Sequence, residues 1–219
     1  MKVLVTGASG KIGRVLTRGL HHDITEFDLP EHDARSLEQF AAAAAGHDAI
    51  VHLAWNTTTE NFNNDGIDFD NALMSFNAYR ACELAGVRRV VVASSVHADD
   101  EHRPREGLLT ASDMSTPDSP YGASKLFAEA LGRYFAGRGL EVVVVRFGGV
   151  DHHATDRDFG ERLPRYPSWL SHADCVALVD ACLVAATVPD RYVALYAVSD
   201  NNGRVHDTTN PFGWVPEPR

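Results

Sequence analysis

Lysine is scarce in this chain: Lys2, Lys11 and Lys125 stand against 17 arginines. Cysteine is equally rare, and the three present (Cys82, Cys175 and Cys182) are too few for a disulfide framework and point to a reducing compartment. Cys175 and Cys182, seven apart in an amphipathic stretch, read as buried packing residues. Apolar runs never approach the ~20 residues needed to cross a bilayer, and strand-like residues begin directly after Met1. The expectation is therefore a cytoplasmic protein with no signal peptide and no membrane partner. Positive charge is in deficit, with a formal net charge of −10, which argues against nucleic acid or an anionic surface as partner. What is present, 219 residues with 44% hydrophobic and 23% charged, suits one large soluble domain.

Strand-like apolar runs alternate with longer helical patterns, the signature of a parallel sheet built from βαβ units. Strands are expected at Lys2–Thr6, Asp23–Phe27, Ala49–Leu53, Arg89–Ala93, Glu141–Arg146 and Tyr192–Val198. Helices are expected near Lys11–His21, Ser36–Ala45, Asp70–Ala85, Tyr121–Gly137 and His172–Ala186, the last with Ser171 as N-cap and Asp174 in its first turn. Neither a repeat nor a Pro/Ser linker divides the chain, so a single domain over 1–219 is expected. His97–Pro120 and Asp151–Ser168 carry little periodicity and are long enough to be binding loops, so segments 97–120 and 147–171 are expected on the substrate side.

Because lysine is rare, Tyr121-Gly122-Ala123-Ser124-Lys125 stands out. Random placement of 6 tyrosines and three lysines would give roughly 0.08 such pairs. At i and i+4 on a helix the phenol and the ammonium share a face. The ammonium is expected to draw the phenol pKa from its usual ~10 toward neutrality, giving a general base for an alcohol proton.

The first strand runs into Thr6-Gly7-Ala8-Ser9-Gly10-Lys11-Ile12-Gly13, with a glycine at every third position where strand becomes helix. Gly7 suits a tight turn, Gly10 a close approach of backbone to pyrophosphate, and Gly13 close helix–strand packing. Ser9, Lys11 and Ile12 complete the loop and first turn, where a helix N-terminus favours phosphate. Asp28 ends the second strand, where a carboxylate accepts from a ribose diol and repels a 2′-phosphate, favouring NAD over NADP; otherwise it caps a turn. Asp33 either meets the adenine amino group or is solvated loop charge. After the third strand, Leu53 and Ala54 would pass beneath the nicotinamide ribose, and Trp55 belongs either to that wall or to the core.

Together these residues resemble the extended short-chain dehydrogenase/reductase family, also described as NAD-dependent epimerase/dehydratase, over nearly the whole chain. The resemblance implies a doubly wound α/β Rossmann fold, a parallel sheet flanked by helices, with a small C-terminal substrate-binding portion and NAD as cofactor. It also implies that Ser95, 26 residues before Tyr121, binds the reacting oxygen, and that Asn71 supports a proton relay; a helix-capping role for Asn71 stays open. Smaller features, among them Val92–His97, Ser119–Glu129, Arg146-Phe147-Gly148 and Ser168-Trp169-Leu170-Ser171, are similar to the uronate dehydrogenase branch. That branch implies oxidation of hexuronates at C1 to an aldarolactone. The chain departs from it at Val96, where a polar residue is expected, and in the loops. About 70 residues follow the fifth strand, which suits a small sugar-acid substrate better than a nucleotide-sugar.

In the mechanism this implies, Ser95 and Tyr121 hold the substrate hydroxyl while Lys125 holds the coenzyme ribose. Arg165, or else Arg162, is the candidate clamp for a substrate carboxylate, and His97 a candidate partner for a sugar hydroxyl; each is otherwise ordinary surface or loop. Asp151-His152-His153 is read as loop, not as a metal site. By resemblance, helices Asp70–Ala85 and Tyr121–Gly137 pair across a two-fold axis in a homodimer. An epimerase or carbonyl reductase of the same family, or a dinucleotide sensor without turnover, are the competing readings.

Overall fold

The computed structural model describes residues 1–57, 66–104, 106–150 and 167–217. Arg162, Arg165 and the Asp151-His152-His153 motif lie outside the described residues.

Six parallel strands form one sheet: β1 (Lys2–Thr6), β2 (Asp23–Phe27), β3 (Ala49–His52), β4 (Arg89–Ser95), β5 (Glu141–Phe147) and β6 (Tyr192–Ala197). Their order is β2-β1-β3-β4-β5-β6, so the winding starts at β1, goes outward to β2, then reverses across β1 to β3. That reversal opens a crevice at the carboxyl ends of β1 and β3, the ligand-binding position of doubly wound sheets. The register sets Thr6 beside His52 and Ser95 beside Phe147, so the ends of β1, β3, β4 and β5 face one rim.

Alternation of side chains divides the strands between two cores. Val3, Val5, Val51, Val91, Val143 and Val145 pack with Leu16, Cys175, Leu178 and Cys182 on the side of helices α1 (Lys11–Gly19) and α5 (His172–Val184). Leu4, Ile50, Val90, Val92, Val142 and Val144 pack with Phe40, Tyr79 and Phe135 on the opposite face. That face is covered by α2 (Leu37–Ala44), α3 (Phe69–Ala85) and α4 (Pro120–Ala136). Each fully buried Val or Leu contributes about 1.5–3 kcal/mol, so the two-faced pattern itself specifies the layering. The three cysteines are free and buried, and burial pushes the Cys175 and Cys182 thiols up to about 12, as packing roles require.

Expected and observed elements differ chiefly at their ends. β4 continues past Ala93 through Ser95, which puts both serines in the sheet. α1 stops at Gly19 rather than His21, because Leu20 turns to extended backbone and its N–H closes on the Leu16 carbonyl. α5 stops at Val184, where the buried Arg89 guanidinium donates to the carbonyls of Cys182 and Leu183. Ser171 caps α5 as expected, accepting from the Asp174 N–H at 3.0 Å. Among the described residues, no helix is long and apolar enough to cross a membrane.

Candidate active site

One cavity of about 910 Å³ runs along the carboxyl rim, from the glycine loop to α4. At its first end the chain leaves β1 with Gly7 at φ +67°, and a Cβ there would lie 2.7 Å from the backbone N of Ala54. A Cβ on Gly13 would lie 2.3 Å from the Gly7 carbonyl oxygen, so α1 sits against the loop with no space for a side chain. The N-cap of α1 is Gly10, which offers no side-chain acceptor to the first-turn amides, and that turn carries no acidic residue. These amides, among Lys11, Ile12 and Gly13, line the cavity with Ser9. The helix end is thus left electropositive.

Asp28, the residue after β2, stands behind this end, outside the cavity lining but bonded to Ser9, which lines it. Its Oδ2 accepts from the Ser9 N–H at 2.8 Å and from the Ser9 hydroxyl at 2.6 Å, and Oδ1 accepts from the Leu29 N–H at 2.9 Å. The carboxylate therefore pins the glycine loop as well as standing beside it. Asp33 sits outside the cavity lining: both of its oxygens accept from Arg35, which lowers its pKa and leaves little capacity for adenine. Arg35 in turn reaches Asp70 on α3.

Below the middle of the cleft, Thr6 Oγ1 accepts from the backbone N–H groups of Leu53 and Ala54, each at 3.2 Å, and pairs with His52 Nδ1 at 2.8 Å. Burial drives the His52 imidazole down to about 3, so it is neutral at ordinary pH. Leu53 lines the cavity and Ala54 packs on Gly7. Asn71 does not cap α3; that role falls to Asp68, which accepts from the Asp70 N–H. Both ends of the Asn71 amide engage the backbone of one residue, accepting from the Asn56 N–H at 2.6 Å and donating to the Asn56 carbonyl at 3.1 Å.

At the far end, Ser95 terminates β4, and Ser119 caps α4 with Pro120 in the first turn, so Tyr121 projects from the start of the helix. Tyr121, Lys125 and Ser95 line the same cavity as the glycine loop. Lys125 is 3% exposed; its Nζ donates to the Ala93 carbonyl at 3.1 Å and lies 3.4 Å from the centre of the Trp55 ring. Desolvation pulls this ammonium down to about 7, opposed by Glu129 one turn further along α4.

Here one expectation is corrected. The Tyr121 phenol is not drawn toward neutrality but pushed up to about 12 by burial, with Asp118 adding to the rise and a hydrogen bond with Ser95 partly offsetting it. Lys125 Nζ is 5.7 Å from the centre of the tyrosine ring and is committed to Ala93 and Trp55, so in the protein alone desolvation outweighs the neighbouring cation.

His97 follows in a 3₁₀ turn, Val96–Ala98, with its Nδ1 2.6 Å from Asp118 Oδ2 and its ring edge-on to Tyr121 at 5.8 Å. Trp55 is a wall of the cleft, one of the two places the sequence left open for it. Sequence reasoning overlooked other partners. Asp118 pairs His97, and Asp99, Glu101 and His102 line this end of the cavity with Ser168 and Trp169. Behind them Arg146 is clasped by Glu129 and bonded to Tyr196 and Ser115. The Glu129 and Arg146 positions were already visible in the motifs quoted above, but only the fold brings them together.

The cavity fits a dinucleotide on its own terms: a tight glycine cradle, an uncapped helix start, an acidic group at the end of β2 and an ammonium by a phenol. A family model described as the NAD dependent epimerase/dehydratase family matches residues 3–150. The L-arabinose 1-dehydrogenase (NAD(P)(+)) of Haloferax volcanii is 34% identical, aligned over 98% of this chain and 96% of its own. The uronate dehydrogenase of Agrobacterium fabrum is 29% identical over 99% of this chain and 84% of its own. A crystal structure of a uronate dehydrogenase variant from Agrobacterium tumefaciens complexed with NAD superposes with a TM-score of 0.81 at 28% identity, covering 99% of this chain and 84% of that one.

Proposed function

Because the chain belongs to the NAD dependent epimerase/dehydratase family, we propose that it is a sugar 1-dehydrogenase, oxidising the C1 hydroxyl of a hexuronate to an aldarolactone with NAD as acceptor. The coarser statement, an NAD-dependent dehydrogenase of the uronate and arabinose dehydrogenase type, rests on the relatives. The observation that carries the chemistry is that Ser95, Tyr121 and Lys125 line one cavity with the glycine loop.

The residues divide the work as follows. The first-turn amides of α1 offer hydrogen bonds to phosphate, and Asp28 offers acceptors to ribose hydroxyls. NAD bound in this cleft supplies the hydride acceptor. Ser95 Oγ and Tyr121 Oη, hydrogen-bonded to each other, hold the C1 hydroxyl between them, and Tyr121 Oη takes its proton as the C1 hydrogen leaves as hydride. With the phenol at about 12, the base form must be stabilised by positive charge. A unit charge about 5 Å away is worth roughly 3 kcal/mol at an effective dielectric of 20, or about two pKa units. Lys125 contributes this only while protonated, which is why its own local partners matter. The half-buried rings of Trp55 and His97 flank the phenol and limit its contact with water.

Arg165 or Arg162 remains our candidate clamp for the substrate carboxylate. A second substrate class, a neutral aldose, is favoured by the arabinose relative and by the acidic character of the described substrate end, where Asp99, Glu101 and Asp118 would repel a carboxylate. The loops 97–120 and 147–171 select between them in this reading. We further propose a homodimer: Phe69, Leu73 and Phe76 of α3 and Phe127 and Tyr134 of α4 are exposed apolar or aromatic side chains on two helices that pack together.

NADH formation, followed by absorbance against glucuronate, galacturonate, arabinose, other neutral aldoses and simple alcohols, tests the proposal. Turnover of uronates supports the first class, and turnover of neutral aldoses alone replaces it with the second. Turnover of neither sugar class refutes the reading.

A further inference from the structure

Beyond Leu53 and Ala54 the chain passes over the cleft through Trp55, and both sides of that passage are fixed. Upstream, Leu53 and Ala54 are tied to Thr6. Downstream, the Asn56 peptide is held by the Asn71 amide, and the Asn56 side chain donates to Asp68 at 2.6 Å. Trp55 is thereby presented to α4 in one orientation. Its ring face meets Lys125 Nζ at 3.4 Å, and its ring stands perpendicular to Tyr121 at 6.3 Å. The indole N–H is buried and, among the described residues, has no acceptor, so contacts of the ring hold the side chain rather than its polar end.

Lys125 is as well buried as a core residue, and that burial strips its ammonium of most of the hydration a surface lysine carries. The groups that face it are the Ala93 carbonyl and Trp55, with Tyr121 and Glu129 on its own helix and neutral His52 on β3. The Ala93 carbonyl satisfies one of its three donors. The negative face of an indole is a further substitute for water that a cation accepts.

We propose that Trp55 is a positioning residue for the reaction, its indole face keeping Lys125 charged and in place for the coenzyme, with Asn71 fixing the backbone that carries it. This rests on the reading of the cleft as an NAD site. The low ammonium pKa agrees, since a group already half-deprotonated near neutrality depends on each remaining cation partner. It also gives Asn71 a role other than a relay: its amide is committed to aiming Trp55.

The full-length protein and its Trp55→Phe and Trp55→Leu variants distinguish the face from the bulk. We expect Trp55→Leu to weaken NAD binding, measured by calorimetric titration, by about tenfold and to lower kcat by a similar factor, with the sugar KM nearly unchanged. Trp55→Phe, which keeps an aromatic face, should stay within about threefold of the parent. The Trp55→Leu deficit should shrink toward pH 5, where the amine is protonated in either protein. Parental NAD affinity and turnover in Trp55→Leu, or equal damage in Trp55→Phe, overturns the inference. Should Trp55→Leu fail to fold, fluorinated tryptophan in a Trp169→Phe, Trp214→Phe background keeps the shape and weakens the face. NAD affinity that falls with fluorination supports the role, and unchanged affinity overturns it. A parent protein that binds no NAD overturns the functional reading together with this one, whereas a parent that oxidises sugars beside an unimpaired Trp55→Leu overturns this one alone.

Discussion

The Glu129 carboxylate clasps the Arg146 guanidinium through both oxygens, each at 2.9 Å, and both side chains are 1% exposed. The same carboxylate accepts from the Ser94 hydroxyl, and the same guanidinium reaches Ser115 in the loop over the cleft. Helix α4, strand β4 and the loop that carries Ser115 thus meet at one buried ion pair, one residue from Ser95 and one helical turn from Lys125.

Breaking that pair from one side is expected to be costly. Glu129→Gln removes the bidentate counter-charge and leaves the buried guanidinium only Asp99, 4.0 Å away, among the described residues, and should destabilise the fold by about 3–5 kcal/mol. Replacing both partners with apolar residues, as in Glu129→Leu with Arg146→Met, should recover most of the loss. Chemical denaturation at pH 7 reads both; a single variant as stable as the parent contradicts the account.

Removing the phenol hydroxyl separates binding from chemistry. Tyr121→Phe keeps the ring packing against Trp55 and His97 but removes the proton acceptor. Turnover should fall by roughly 10²–10⁴-fold, with NAD affinity within a few-fold of the parent. A dinucleotide sensor would lose nothing.

Much of this arrangement was legible in the chain, because it depends on local rules. Gly7 and Gly13 mark places where a Cβ would strike backbone, alternating valines mark strands covered on both faces, and Ser171 marks a helix start. The electrostatics of the Tyr121–Lys125 pair were not legible. Helical spacing puts the two on one face, but the outcome turns on burial and on Ala93 and Trp55, residues 32 and 70 positions away from Lys125 in sequence. Asn71 and Asp33 were read by position, and their hydrogen bonds go to Asn56 and Arg35 instead.

Lys125 should carry a stability signature opposite to that of a paired surface lysine. Burial holds its folded pKa at about 7, below the 10.5 usual for a lysine, so between those limits the unfolded chain binds more protons and stability rises with pH. Below about pH 7 the full cost of burying the ammonium is borne. Lys125→Met should therefore raise the unfolding temperature at pH 6 and have progressively less effect toward pH 10, a difference on the order of a few kcal/mol. The same variant should bind NAD more weakly, so stability and function move in opposite directions. Thermal scans across this range check the sign, and a stabilisation that grows with pH refutes it.

We expect coenzyme choice to rest on Asp28. A 2′-phosphate brought to this position would meet a carboxylate held in place by Ser9, with no described salt bridge to neutralise it. Like charges there disfavour NADP by roughly 1–3 kcal/mol, about fivefold or more. Asp28→Asn keeps the size and an acceptor for the Ser9 groups while removing the charge. Its ratio of kcat/KM for NADP over NAD should rise about tenfold, chiefly through a lower KM for NADP, with the sugar KM unmoved. Ser9→Ala, which frees the carboxylate from the hydroxyl but leaves it charged, should keep the preference for NAD. If both variants accept NADP equally well, the charge on Asp28 is not the discriminating group, and the loop geometry it shares with Ser9 is.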